Sequence, residues 1–265
     1  LLHSHIGMLF SSEELPGHKK ATYYTKNHEK SYFIPTSLKT INVTKVNETF
    51  SFSEVCVDEI ILDFVVTRID DYCFYKTDAN VTLNPENIES IGDFALAETK
   101  IAFDSFPNLK VIGSGVFSNN KNVTKLTLGS YLEEAKEDTF LNSNIKNVYL
   151  ESNNHFILEN NMVCNVEEGE LFFVNKDIEG KIFLPKTVAS IKPGAFKDCV
   201  NITSIAISDA TEIGEKAFIN CEKLEEINIT SKLTKLGKEA FYECKNIKSI
   251  SVFLLALKLS PFCIV

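Results

Sequence analysis

The chain has 265 residues, of which 44% are hydrophobic and 24% are charged, and this composition excludes a largely disordered protein. Its net charge of −9 argues against nucleic acid as a primary partner, because phosphate contacts need a basic surface. No stretch approaches the roughly 18 apolar residues that would indicate a membrane span.

Residues 1–32 precede the first recognisable repeat and are expected to be irregular, because chain ends are ordered only where they are tied down. The segment does not begin with Met and lacks a basic leader before an apolar run. It therefore does not read as a secretory signal. We expect a fragment or a processed form, in which a signal or anchor could be missing at either end.

Residues 33–155 are predicted to form a first array of repeats, in which two blocks alternate. One block ends in apolar residues two apart, as in Val123–Leu128, which predicts a strand with one buried face. The other spaces its apolar residues three to five apart, as in Ile112–Phe117, which favours a short helical turn or loop. The Gly that follows Ile is expected to allow a tight turn between the two.

Residues 156–184 interrupt the repeat, so that Phe140 and Phe196 are 56 positions apart. Apolar runs lie on both sides of a Glu-Glu-Gly turn, which predicts a β-hairpin or meander inserted between two arrays. A disordered linker is the alternative, although the Phe, Ile and Val content of the segment disfavours it.

Residues 185–252 carry the clearest repeat, with Phe196, Phe218 and Phe241 spaced 22 and 23 positions apart and a Cys three residues after each. One such unit cannot bury its apolar side chains alone, whereas stacked units can. Residues 253–265 are left as a C-terminal tail or cap. The predicted core positions are Phe117, Phe140, Phe196, Phe218, Phe241, Cys199, Cys221 and Cys244.

The repeat pattern, I-G-x-x-A-F-x-x-C-x-x-L-x-x-I-x-I-P-x-x-V-x-x-I, resembles the BspA-like (treponemal-type) leucine-rich repeats. The resemblance covers about residues 33–252 and is most specific in the C-terminal third. It implies a leucine-rich-repeat solenoid of α/β class, rich in β-structure, with a parallel sheet on the concave face and short helical turns or loops opposite. It also implies a surface protein that adheres to host or matrix proteins, in bacteria or in parasitic protists.

The cysteines are interpreted as structural rather than chemical. Cys199, Cys221 and Cys244 share one repeat slot, so they are expected to be buried thiols, and their spacing matches no metal-binding framework. The disulfide state of four others remains open: Cys56, Cys73, Cys164 and Cys263. No nucleophile elbow, phosphate loop or zinc-protease motif is present, so we predict no catalytic site, no metal and no cofactor.

Six Asn-x-Thr sequons are candidate N-glycosylation sites if the protein enters a secretory pathway. Alternatively, their Asn and Thr residues are simply part of the repeat composition. The sequon asparagines are Asn42, Asn47, Asn80, Asn122, Asn201 and Asn228.

Outward positions of the predicted strands should form a polar strip on the concave face, suited to a protein or glycan rather than a buried small molecule. The alternative is a merely solvated sheet face. Tyr149 is the most anchor-like of these residues, because Tyr contributes a large contact area with little loss of entropy. The candidate binding residues are Lys125, Thr127, Asn147, Tyr149, Ser204, Glu226, Asn228, Ser249 and Ser251.

These observations favour a non-enzymatic, adhesion-type interaction module at the cell surface or secreted. Its expected partner is a protein or a glycan, and the chain contains no membrane span. The alternative is an intracellular, cytoplasmic scaffold, which would suit the row of thiols and the missing signal. An enzyme is disfavoured because function must be argued from a site, and none is found.

Overall fold

The protein was analysed as a computed structural model, which describes residues 16–25, 28–43, 52–62, 65–136, 138–230, 233–252 and 258–259. Asn47, Cys263 and most of the predicted C-terminal tail lie outside these ranges. The chain divides into two compact units, residues 1–145 and residues 146–265. Each unit is described by itself below.

The first unit is built almost entirely from short strands. Its one described helix is a 3-10 turn, η1 (Pro85–Asn87), which Asn84 caps by accepting the amide hydrogen of Glu86. The strands are β1 (His18–Thr25), β2 (His28–Pro35), β3 (Thr40–Val43), β4 (Glu59–Leu62), β5 (Arg68–Ile69), β6 (Asn80–Thr82), β7 (Ser90–Ile91), β8 (Ser105–Phe106), β9 (Val111–Ile112), β10 (Lys125–Leu128) and β11 (Glu134–Ala135).

The pairing of these strands is parallel except at the N-terminus. β3, β4 and β6 form one sheet, β8 pairs with β10, and the two-residue strands β5, β7, β9 and β11 form another sheet. β1 and β2 pair antiparallel, so residues 18–25 and 28–32 are not irregular as expected from the sequence. Their Tyr, Thr and Phe residues suit a pleated strand, and the prediction underestimated this preference.

The second unit has two parallel sheets, one of long strands and one of short strands. β16, β18, β20 and β22 form the first, and β15, β17, β19, β21 and β23 form the second. The strands are β12 (Asn147–Leu150), β13 (Phe156–Glu159), β14 (Met162–Asn165), β15 (Glu170–Val174), β16 (Gly180–Phe183), β17 (Ser190–Ile191), β18 (Ile202–Ile207), β19 (Glu212–Ile213), β20 (Glu226–Ile229), β21 (Lys235–Leu236), β22 (Ser249–Val252) and β23 (Lys258–Leu259).

The segment between the predicted arrays contains an antiparallel meander. β13 pairs with β14 and β14 pairs with β15, after which β15 joins the parallel sheet of short strands beside β17. β16 pairs in parallel with β18, so residues 180–183 already belong to the repeating sheet of this unit. From the sequence they were expected to be part of the insertion at residues 156–184.

One coil therefore consists of a long strand, a two-residue strand and a turn that carries the Ala-Phe pair. This arrangement confirms the predicted leucine-rich-repeat solenoid. The connections are turns rather than helices, since η1 is the only helix of the described residues. None of the described helical structure has the length and apolarity needed to cross a membrane.

Left-handed residues prevent the turns from becoming helical. Lys216 and Asn220, on either side of Phe218, have φ values of +52° and +62°. Because left-handed residues recur at intervals along the turn, every second backbone N–H points towards the next coil. Lys216, Phe218 and Asn220 each donate to a carbonyl of the next coil, at 3.0, 2.8 and 2.9 Å. The turns thus form their own ladder of hydrogen bonds between coils.

The core of the second unit is a column of Phe rings inside the turns. Phe196 and Phe218 are stacked with centroids 4.6 Å apart, and Phe218 and Phe241 are 5.0 Å apart. Phe117 of the first unit is also buried. Phe140 differs, because it is only half-buried. Its coil is a weak copy of the repeat, with the polar, buried Thr139 in the Ala slot.

The repeated Gly is required for a reason other than the expected tight turn. Gly214 and Gly237 lie outside the left-handed region. A Cβ on Gly214 would lie 2.6 Å from the Pro193 nitrogen, and one on Gly237 would lie 2.4 Å from the Glu215 nitrogen. These distances are too short for any side chain, so the residue type is set by the close approach of the preceding coil.

The slot filled by Cys in the second unit is a hydrogen-bond donor slot. The Cys221 and Cys244 thiols lie 3.2 and 2.9 Å from the carbonyl oxygens of Phe196 and Phe218 in the preceding coil. In the first unit Thr77 donates to Phe52 O in the same way. Because a thiol, a hydroxyl and an amide can all donate this bond, the slot accepts different residue types along the chain.

Candidate binding surface on the second unit

The sheet of long strands in the second unit turns one face towards the core and the other outward. Ile182, Ile205 and Ile227 are in register and buried. The residues between them point the other way, because side chains alternate along a strand. Their face, the outer face, has two rows in register: Lys181, Ser204, Glu226, Ser249, and Phe183, Ala206, Asn228, Ser251.

Phe183 is the largest apolar group of the outer face and is 66% exposed. Its neighbours in the row are the small or polar residues Ala206, Asn228 and Ser251, so its ring stands beside polar surface. Phe183 and Lys181 were not among the predicted binding residues, because both had been assigned to the insertion. Because Ile182, Phe183 and Leu184 are all apolar, the sequence did not show which of these three side chains points to solvent.

Four predicted binding residues, Glu226, Asn228, Ser249 and Ser251, are exposed on the outer face. Ser204 is only 9% exposed, which contradicts its selection as an accessible contact residue. Its short side chain lies between the longer side chains of Lys181 and Glu226, which are its partners in register. A side chain that points outward from a strand, such as that of Ser204, is therefore not always accessible to solvent.

Tyr149 and Asn147 lie on β12, which has a different role. Tyr149 is 49% exposed, as an anchor residue requires. Asn147 is half-buried and donates to Asp177 at 2.9 Å. The buried Asn175 side chain holds the strand by accepting from Val148 N at 2.7 Å and donating to Val148 O at 3.1 Å. Asn147 thus contributes to attaching β12, and Tyr149 remains the accessible group.

The remaining two predicted residues, Lys125 and Thr127, lie on β10 of the first unit and are exposed. The Lys125 ammonium is 3.2 Å from the carboxylate of Asp104, which directly precedes β8, the parallel neighbour of β10. An exposed pair of this kind stabilises by only about 0–1 kcal/mol, so it leaves Lys125 free to exchange partners.

The sequon asparagines differ in accessibility. Asn42, Asn80 and Asn228 are exposed, and Asn228 lies on the outer face. Asn122 is exposed but donates its side-chain amide to Lys100 O at 2.7 Å. Asn201 is half-buried and accepts from Lys223 at 2.8 Å. Glycosylation at any of them remains a prediction, and a glycan on Asn228 would cover the outer face.

The described cysteines are free thiols, and only Cys56 is exposed. Burial raises the pKa of Cys73, Cys199 and Cys221 and raises that of Cys164 to about 12. Within the described ranges, no three His, Cys, Asp or Glu side chains are grouped as a metal site requires. Burial therefore favours the protonated form of Cys199 and Cys221 in the repeat slot, whereas the hydrogen bond with Cys221 lowers the pKa of Cys244.

We predict that alkylation of the native protein with iodoacetamide at about pH 8 modifies Cys56 but spares Cys73, Cys164, Cys199 and Cys221. The thiolate is the reacting form, and burial both hides these sulfurs and keeps them protonated. Peptide mass spectrometry after timed labelling measures the extent at each residue. Unfolding in urea should make all of them reactive, and equal labelling of Cys56 and Cys221 without urea would contradict the assignment.

Parallel long strands, turns with stacked Phe side chains and a slot of hydrogen-bond donors define a leucine-rich-repeat solenoid. The chain belongs to the family of the BspA type leucine rich repeat region, whose family model matches residues 44–165 and 169–257 in six copies. Proteins of this family and fold are typically non-enzymatic repeat proteins. No curated protein matches the chain significantly.

Three solved bacterial structures share the fold. The pneumococcal vaccine antigen PcpA is 15% identical with a TM-score of 0.57, covering 91% of this chain and 78% of its own. A leucine rich cell surface protein from Faecalibacterium prausnitzii is 16% identical with a TM-score of 0.54, covering 86% and 72%. A leucine-rich repeat protein from Eubacterium ventriosum is 17% identical with a TM-score of 0.50, covering 76% and 74%.

Proposed function

We propose that this protein is a non-enzymatic, adhesion-type interaction module, displayed at the cell surface or secreted. Its partner is a protein, such as a host or matrix protein, and it binds to the outer face. Leucine-rich-repeat proteins are interaction modules, and two of the structurally similar proteins are described as a cell surface protein and a vaccine antigen. These likenesses support an interaction module at the cell surface or outside the cell. The choice of the outer face rests on its exposed residues.

The observation that carries the proposal is the exposed Phe183 ring within a regular polar sheet face. Hot spots of protein interfaces are large side chains surrounded by residues that exclude water but contribute little themselves. Ala206, Asn228 and Ser251 provide such surroundings, because they are small or polar and lie in the same row. Lys181 and Glu226, on either side of Ser204, offer charges of both signs for specificity.

We expect Phe183→Ala to weaken binding to the protein partner at least about tenfold, which corresponds to about 1.4 kcal/mol. The assay immobilises a panel of purified extracellular-matrix proteins and measures dissociation constants by biolayer interferometry, with a glycan array in parallel. Tyr242→Ala is the matched control, since Tyr242 is an exposed aromatic residue of the same unit, on the turn side. Unchanged affinity of the Phe183 variant for a partner that the wild type binds would remove the outer face as the site.

An intracellular scaffold is the second candidate, and the free thiols favour it. Cysteines are commonly kept as free thiols in reducing compartments, whereas disulfides are common in secreted proteins. Antibody labelling of intact and permeabilised cells of the source organism separates the two candidates. Labelling that requires permeabilisation, with none of the protein in the culture medium, would contradict a surface or secreted module and favour the intracellular candidate.

A further inference from the structure

A second surface of interest lies on the turn side of the first unit, at the position two residues before the core Phe, which is Leu96 in one coil. This position, the turn slot, has left-handed backbone in both units. The residues and φ values are Tyr72 (+56°), Phe94 (+53°), Gly115 (+54°), Gly194 (+66°), Lys216 (+52°) and Glu239 (+54°).

Two consecutive coils of the first unit place aromatic residues in this slot. Left-handed backbone favours Gly and disfavours bulky side chains, so Tyr72 and Phe94 occupy the slot against its conformational preference. The second unit uses Gly194, Lys216 and Glu239 instead, which shows that the turn itself does not need a ring. The presence of Tyr72 and Phe94 is therefore better explained by the surface that their rings form.

The rings of Tyr72, Tyr75 and Phe94 form one half-exposed surface, the aromatic strip. Tyr72 and Phe94 are stacked at 5.4 Å with an interplanar angle of 15°, and Tyr75 meets Tyr72 edge-on at 5.6 Å. Phe94 extends over the next coil, where a Cβ on Gly115 would lie 2.5 Å from its ring. Tyr72 and the Gly115 backbone thus cover the faces of Phe94, and that ring presents its edge to solvent.

Carboxylates accompany the strip along its length. Asp71 and Asp93 each use one oxygen to accept a backbone amide hydrogen of the following coil, at 2.9 Å. Among the described side chains, the nearby cations pair with other carboxylates, Arg68 with Asp70 and Lys136 with Glu134, and Asp93 acts on Lys136 only at longer range by raising its pKa. Partial burial together with Asp93 and Asp71 raises the pKa of Tyr72, which indicates a negative potential at the ring.

We propose that the aromatic strip is a binding surface for an extended protein segment that carries lysine or arginine side chains. The apolar stems of these side chains pack along ring edges, while their charged ends reach Asp71 and Asp93. The Lys76 ammonium already lies 4.9 Å from the Tyr75 ring centroid, so the surface accommodates a cation. A sugar ring is disfavoured, since it stacks on open aromatic faces and those of Phe94 are covered. This surface is independent of the outer face of the second unit.

The test uses the full chain and the double variant Tyr72→Gly/Phe94→Gly. Gly suits the left-handed slot, as Gly115 and Gly194 show, so the variant removes the rings without straining the turn. Binding of a fluorescein-labelled (Lys-Ser-Gly)4 peptide is followed by fluorescence anisotropy at low salt, beside a matched (Glu-Ser-Gly)4 peptide. We expect the wild type to bind only the basic peptide and the double variant to bind it at least about tenfold more weakly.

Two further variants make the result specific. Lys216→Gly, in the same slot of the second unit, should leave peptide binding unchanged. Asp71→Asn/Asp93→Asn keeps the two amide acceptors but removes the charge, so it should weaken binding and reduce its salt dependence. If only the Asp variant weakens binding, the rings have no role and the proposal fails. It also fails if the wild type ignores the basic peptide, or if it binds a glycan array through the rings.

Discussion

Replacement of Phe218 by Ala is expected to lower the free energy of unfolding of the second unit by about 3–5 kcal/mol. Phe218 is the middle ring of the column, with Phe196 and Phe241 stacked on its two sides at 4.6 and 5.0 Å. Its side chain has no exposed surface, so truncation leaves a cavity and removes both ring contacts.

Urea unfolding followed by far-UV circular dichroism measures this loss, and peptide-level hydrogen exchange locates it. Each coil of a solenoid contacts only its neighbours, so the coils before and after Phe218 should lose protection together. Tyr242→Ala removes an exposed ring from the same unit and should change stability by less than about 0.5 kcal/mol. A loss of similar size in both variants would contradict the role given to the Phe column.

Asn120→Ala is expected to destabilise the first unit by about 3 kcal/mol or more, because several buried groups lose their hydrogen bonds. Asn120 occupies the slot that Cys fills in the second unit and is fully buried. Its side-chain nitrogen donates to Leu96 O, Thr99 Oγ1 and Ile101 O at 3.3, 3.2 and 2.8 Å. Its oxygen accepts the amide hydrogens of Asn122 and Val123 at 2.9 and 3.2 Å.

The matched control is Asn108→Ala, which removes an exposed Asn that makes one side-chain bond, to Glu86 O at 2.8 Å. That change should lower the free energy of unfolding by less than about 1 kcal/mol, because the carbonyl can bond to water instead. The two variants are compared by urea unfolding, and hydrogen exchange at Asn122 and Val123 reports the lost acceptor directly. Equal destabilisation by the two substitutions would show that the buried hydrogen bonds of Asn120 stabilise the unit no more than the exposed bond of Asn108.

The sequence predicted core positions correctly where the same residue type recurs in each coil. It recurs there because each coil provides the same environment. The spacing of Phe196, Phe218 and Phe241 predicted a stacked column, and the rings are stacked as that spacing requires. It was less successful for the repeated Gly, which was attributed to turn conformation. The close approach of the preceding coil at Gly214 involves residues about 22 positions away, and no local pattern reveals it.

The candidate surface was predicted only in part. Strand alternation predicted the outward direction of Glu226, Asn228, Ser249 and Ser251, which are exposed, while Ser204 is buried and the exposed Phe183 was not selected. Alternation gives the direction of a side chain within its own strand. Accessibility also depends on the length of the side chains in neighbouring strands, which pairing in register decides.

The sequence by itself determined the repeat, the solenoid, the family and the column of core Phe residues, because these depend on periodicity along the chain. The tertiary structure decided that β16 belongs to the repeating sheet and which outward residues reach solvent. It also decided that the side chain in the Cys slot donates a hydrogen bond to the preceding coil. Each of these depends on contacts between residues about 20 or more positions apart, whose alignment is set by the stacking of coils. The donor slot shows this best, since Thr77, Asn120 and Cys221 look unrelated in sequence and each donates to a carbonyl of the preceding coil.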